Sequence, residues 1–140
     1  MTFSVRTTLM IAISAVVVCG GLAWLKRATE ITPRGSLVVT LYPPYPHEAG
    51  MAWQAAKHIL PFDIKALSPY ADDPAAEIDR SPVMIYEDGK PLGPPHSNFR
   101  DISTLGHGRF TYWIGQGLIF SSSDGSDPNY NGRRYWAVVP

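Results

Sequence analysis

The sequence predicts a mainly β protein, with one N-terminal transmembrane helix followed by a small antiparallel β-sandwich or jelly-roll-like domain. Three observations carry that expectation. Thr7 to Leu25, TTLMIAISAVVVCGGLAWL, runs for nineteen residues without a charge, and as a helix would reach about 28 Å, enough to cross a hydrocarbon core. Beyond it, short β-branched and aromatic runs are separated by Gly, Pro, Asn and Asp, the punctuation of strands and turns. No internal repeat or helical period interrupts them.

The membrane segment is flanked by Arg6 on one side and by Trp24, Lys26 and Arg27 on the other, side chains that settle at membrane interfaces. A permanent anchor is favoured over a secretory signal cut after Ala23 and over a lipoprotein signal ending at Cys19, because Val18 stands where a small residue is needed and the apolar run is long for a signal. This divides the chain into an anchor (1–27), a linker (28–35) and a β domain (36–140). The Lys and Arg excess after the helix argues for a cytoplasmic domain. The short basic N-terminus argues the other way, and a large C-terminal domain is translocated largely regardless of nearby charge. A single-pass protein of the cytoplasmic membrane with its domain outside the cytoplasm is the expectation.

With 140 residues there is room for one domain. Thirteen prolines and twelve glycines accompany plentiful aromatics, a composition of turn-rich β structure rather than disorder. Residues 1–34 hold four Lys or Arg against one Glu, and residues 35–140 hold eight against eleven Asp or Glu. That mildly acidic surface repels a phosphate backbone, so no nucleic-acid partner is expected. The single cysteine, Cys19, excludes an internal disulfide.

Ser36 to Tyr42, SLVVTLY, reads as a first strand, stopped by Pro43, Pro44 and Pro46. Gly50 to Leu60 fits a helix face or a strand, and a strand is preferred. Pro61 to Ser81, with Pro69, Pro74 and five carboxylates, reads as a long surface loop whose acidity serves solvation. Val83 to Glu87 is a strand ending at an Asp88-Gly89 turn. Leu92 to Phe99 is loop, and Asp101 to Leu105 one helical turn. Arg109 to Ile114 alternates as a half-buried strand, and Leu118 to Ser122 and Arg134 to Val139 complete the set. Between these last two lies FSSSDGSDPNYNGRRY, Phe120 to Tyr135. Its Asp124-Gly125 and Asn131-Gly132 pairs are turn dipeptides, which suggests a link between neighbouring antiparallel strands.

Asp127-Pro-Asn129-Tyr-Asn131-Gly132 matches the first half of an EF-hand loop, but Val138 occupies the position of the closing glutamate. A turn stiffened by side-chain to backbone hydrogen bonds explains the pattern better, and Ca²⁺ at Asp124, Asp127 and Asn129 is the minor alternative. His47, His58, His96 and His107 show no zinc spacing. No nucleophile elbow or phosphate loop is present. His107 or His96 with Asp101 and Ser123 has the ingredients of a nucleophile and base but no defining spacing, so no catalytic residue is assigned. Flat aromatics (Tyr112, Trp113, Tyr130, Tyr135, Trp136) occur with planar polar side chains (Asn98, Asp101, Asn129, Asn131, Arg133), the chemistry that stacks sugar rings and pairs with their hydroxyls. The competing explanation is that most of these rings fill the core.

Ser81 to Val138, about two fifths of the chain, resembles an uncharacterised bacterial module of pattern yEDGxxLGPxHxxHxdIxxxGxGrySHWxxxlyFSxSDnSDPxxNGRxY. It shares Glu87-Asp88-Gly89, Leu92-Gly93-Pro94, His96, Asp101-Ile102, Gly106, Gly108-Arg109, Trp113, Phe120-Ser121, Ser123-Asp124, Ser126-Asp127-Pro128, Asn131-Gly132-Arg133 and Tyr135. Phe99 and Tyr112 replace histidines of the pattern, and Gly125 replaces Asn. The resemblance implies an association with glycosyltransferases and methyltransferases of surface-polysaccharide assembly. The expected function is therefore a membrane-anchored, non-catalytic domain that recognises a saccharide or polysaccharide through Asp88, His96, Asp101, Trp113, Asp124, Asp127, Asn131 and Arg133, without a cofactor. The alternative is an accessory subunit of a larger membrane complex, respiratory or photosynthetic, with the helix packed against partner subunits.

Overall fold

A computed structural model describes residues 32–55, 66–73, 75 and 80–140. Among the described residues no helix is long and apolar enough to cross a membrane, and the Thr7–Leu25 segment lies outside them.

The domain is mainly antiparallel β. Its strands are β1 (Leu37–Leu41), β2 (His47–Ala49), β3 (Ala52–Gln54), β4 (Met84–Glu87), β5 (Lys90–Pro91), β6 (Phe110–Trp113), β7 (Gly117–Phe120) and β8 (Tyr135–Val139). They form two four-stranded sheets, β1-β8-β4-β5 and β2-β3-β7-β6. The first is built around β8, YWAVV, buried along its whole length. An unbroken apolar run of this kind suits a strand covered on both faces. Tyr135 pairs with Leu41 on one side and Glu87 on the other, and Ala137 with Val39 and Ile85.

One core joins the two sheets. Val39, Leu41, Ile85, Tyr135, Ala137 and Val139 from the first meet Phe110, Tyr112, Leu118 and Phe120 from the second. Tyr45, from the turn after β1, sits between them with its ring 5.3 Å from Phe120 and 5.8 Å from Tyr135, both edge-to-face. That geometry aligns ring edges with ring faces, beyond the simple gain from apolar burial.

The helix α1 (Phe99–Thr104) begins at Asn98, whose side-chain oxygen accepts from the Asp101 N–H at 2.9 Å, and Asp101 adds a carboxylate to the first turn, where the helix dipole favours it. Ile102 is its one buried residue and packs with Ala52, Ile119 and Trp113 on the outer face of the second sheet. This changes the reading of β6: the alternation suggested one covered face, whereas Thr111 is buried on the other and Trp113 is half-buried.

Two expectations are corrected. The Phe120–Tyr135 loop does not link neighbouring strands, because β7 belongs to one sheet and β8 to the other. It is the crossing between the sheets. The acidity of the Pro61–Ser81 stretch is not all solvation either, since Asp72 is 2% exposed and forms a parallel bridge to Trp113.

Candidate functional site

The crossing loop is a lattice of short-range bonds. Asp127 accepts from the Asn129 N–H at 2.8 Å, and Asn131 accepts from the Arg133 N–H at 3.0 Å, local turns in which a side chain takes the place of a backbone carbonyl. Asp124 accepts from the Ser126 N–H and hydroxyl at 3.1 and 2.6 Å. Gly125 has φ +74, and a Cβ there would stand 2.6 Å from the Met51 sulfur. Glycine meets both demands.

Longer bonds tie this lattice to the sheets. Arg133 grips Asp124 with two bonds, Nη1 to Oδ1 at 3.0 Å and Nη2 to Oδ2 at 2.5 Å, and reaches Glu87 Oε1 at 3.1 Å. Glu87 is 7% exposed. It also accepts from the Tyr135 hydroxyl at 2.8 Å and from the Ser123 hydroxyl and N–H. Asn131 donates to Tyr135 Oη at 2.8 Å and to Ser126 Oγ at 3.1 Å. Asn129 clasps Tyr45 in both directions, accepting from its N–H at 2.7 Å and donating to its carbonyl at 3.0 Å. A buried carboxylate with this many donors is satisfied rather than reactive.

The electrostatics follow from the bonds. Hydrogen bonds from Arg133 and then from Ser126 hold the Asp124 carboxyl well below its ordinary range. The bond to Asp124, with Glu87 behind it, raises the already high Arg133 further, against some loss from burial. Burial pushes the Tyr135 hydroxyl up, with the Asn131 bond opposing.

A second constellation lies beside β6. The Asp72 N–H donates to the Tyr112 carbonyl at 2.8 Å, and its own carbonyl accepts from Ile114 at 2.9 Å. Its side chain accepts from the N–H groups of Arg80 and Ser81 at 2.8 and 2.7 Å and from His96 Nδ1 at 2.8 Å. His96 adopts φ +53, a left-handed conformation uncommon for any residue with a Cβ.

The structure thus brings together Asp124, Asn131 and Arg133. Asp127 joins them through its backbone carbonyl, which accepts from the Asn131 N–H at 2.9 Å, and Asp88 lies alongside, its carboxylate accepting from the Arg134 N–H at 3.0 Å. Asp101 is set in the first turn of α1, His96 is bonded to Asp72, and Trp113 stands on the second sheet. Glu87 and Asp72 were not among the expected site residues. Alternation through Val83, Ile85 and Glu87 places the glutamate on the core face of its strand, which is a signal for Glu87. Asp72 carries no such mark among its acidic neighbours.

Among the described residues no group of three or more His, Cys, Asp or Glu side chains is arranged to hold a metal ion. Two clefts border the β6–β7 turn. One, of about 290 Å³, is lined by Ser68, Ala71, Tyr112, Trp113, Ile114, Gly115 and Gly117. The other, of about 470 Å³, is lined by Glu48, Gln54, Phe99, Gly115, Gln116 and Ile119. Comparison with protein-family models, with curated proteins and with solved structures finds no match for this chain.

Proposed function

We propose that the chain is a membrane-anchored, non-catalytic β-sandwich domain that recognises a saccharide or polysaccharide, with Trp113 as the ring on which a sugar stacks. The observation that carries the reading is the placement of Trp113: half-buried at the end of β6, it lines an open cleft together with Tyr112 and Ser68. A fixed aromatic beside polar groups is the arrangement that pyranose rings and their hydroxyls use. Asp124, Asp127, Asn131 and Arg133 serve this reading indirectly, because their polar atoms are engaged with one another and with the sheets.

Glycan-array binding of the full-length chain tests it, with Trp113→Ala as the paired variant. Binding that is lost in the variant while its melting temperature holds supports the reading. A wild-type chain that ignores every glycan and migrates with a stoichiometric membrane complex in a native pull-down supports the accessory-subunit role instead.

A further inference from the structure

The two clefts beside the β6–β7 turn meet at Gly115, which lines both. Gly115 has φ +78, and among the described residues a Cβ built on it would meet nothing within 4 Å. The crest between the clefts therefore carries no side chain, and its backbone conformation disfavours one. On one side stands Trp113. On the other stands Phe99, 37% exposed although aromatic, flanked by two glutamines. Gln54 donates to the Gln116 carbonyl at 2.5 Å, which orients its amide. The Gln116 side-chain amide makes no hydrogen bond among the described residues, so it keeps a donor and an acceptor side by side, the pairing that vicinal hydroxyls take.

Charge narrows the ligand further. Among the described residues, Glu48 is the one charged side chain lining the two clefts, and no Lys, Arg or His of these residues lines either. A carboxylate, sulfate or phosphate on the ligand would face an acid and no cation. From the bare crest, the two rings and this charge pattern, and resting on the saccharide reading above, we infer that the ligand is an uncharged oligosaccharide that straddles the β6–β7 turn. One sugar stacks on Trp113 and a later one on Phe99, with Gln116 bonding the residue beside it. A monosaccharide fills one cleft and leaves the other empty, so affinity grows with chain length.

The test is an array of neutral and uronate-containing glycans graded from monosaccharide to hexasaccharide, probed with the full-length chain and with Trp113→Ala, Phe99→Ala and Gln116→Ala, each checked by thermal melting. The expected hits are neutral, and tetrasaccharides or longer bind at least about tenfold more tightly than their monosaccharides. Phe99→Ala weakens the long ligands roughly fivefold, the value of one aromatic contact, and leaves monosaccharide binding unchanged. Hits that depend on Trp113 but not on length or Phe99, or that favour uronates, overturn this inference and leave saccharide recognition standing. No binding to any glycan overturns both.

Discussion

Glu87 and Tyr135 face each other in the β4–β8 ladder and are also joined through their side chains, the tyrosine hydroxyl donating to the carboxylate at 2.8 Å. Tyr135 is fully buried, so this bond carries the polar lattice of the crossing loop into the middle of the core. Tyr135→Phe removes one donor and leaves Glu87 with Arg133 and Ser123, an expected loss of about 1 kcal/mol. Glu87→Ala leaves the Tyr135 hydroxyl and the Ser123 hydroxyl and N–H without this acceptor, while Arg133 keeps its two bonds to Asp124, and is expected to cost roughly 3 kcal/mol. Urea unfolding measures both. A double variant whose loss equals the sum of the singles would show that the pair is not coupled.

The same tyrosine gives the fold an alkaline limit. Burial raises the hydroxyls of Tyr135 and Tyr45 above their ordinary value of 10. In the unfolded chain they ionise near pH 10 while the folded chain still holds their protons, so the folded state binds more protons and stability falls as pH rises. The stability these groups contribute is complete below pH 10 and is lost above it. Unfolding free energies measured from pH 8 to 11 are expected to be flat and then to drop, and the drop should be shallower in Tyr135→Phe. A curve with no alkaline decline would remove the burial argument.

His96 offers a test that separates strain from bonding. Its backbone lies at φ +53 while its ring donates to buried Asp72. Alanine loses the bond and keeps the left-handed backbone, whereas glycine loses the bond and relaxes it. His96→Gly should therefore be about 1 kcal/mol more stable than His96→Ala. Equal unfolding midpoints would mean that the conformation stores no strain. Asp72→Ala should cost roughly 3 kcal/mol, since two backbone N–H groups lose their acceptor with it.

These residues also mark where sequence reasoning succeeds and where it stops. β1, β4, β6, β7 and β8 were legible because alternation or an unbroken apolar run is a local property. The partners of β8 were not: Asp124-Gly125 and Asn131-Gly132 announce left-handed glycines, observed at φ +74 and +71, but a turn dipeptide does not say to which sheet the chain returns. β3 (Ala52–Gln54) falls within the Gly50–Leu60 stretch, where a strand is preferred, whereas β2, three residues long, is too short to show a period. Asp72 looked like the other carboxylates of the Pro61–Ser81 stretch, because its setting depends on donors from Arg80, Ser81 and His96. Of the proposed ligand surface, Trp113 was legible as an aromatic in a patterned strand. Phe99, Gln54 and Gln116 meet only through the fold.

The calcium alternative turns on the loop's oxygen atoms. Asp127 Oδ1 accepts twice from Asn129, Asn129 Oδ1 accepts from Tyr45, Asn131 Oδ1 accepts from Arg133, and both Asp124 oxygens are held by Arg133. A Ca²⁺ ion needs six or more oxygens turned toward one point, and gathering them here would break the Tyr45 clasp and the Arg133 pair together. Binding to the folded state alone raises the melting temperature by mass action. Millimolar Ca²⁺ is accordingly expected to leave the melting temperature where EDTA leaves it. Asn129→Ala, which opens the clasp, should lower it in either medium by the equivalent of about 1–3 kcal/mol. A calcium-dependent rise that Asn129→Ala abolishes would restore the metal reading and recast the lattice as an apo arrangement.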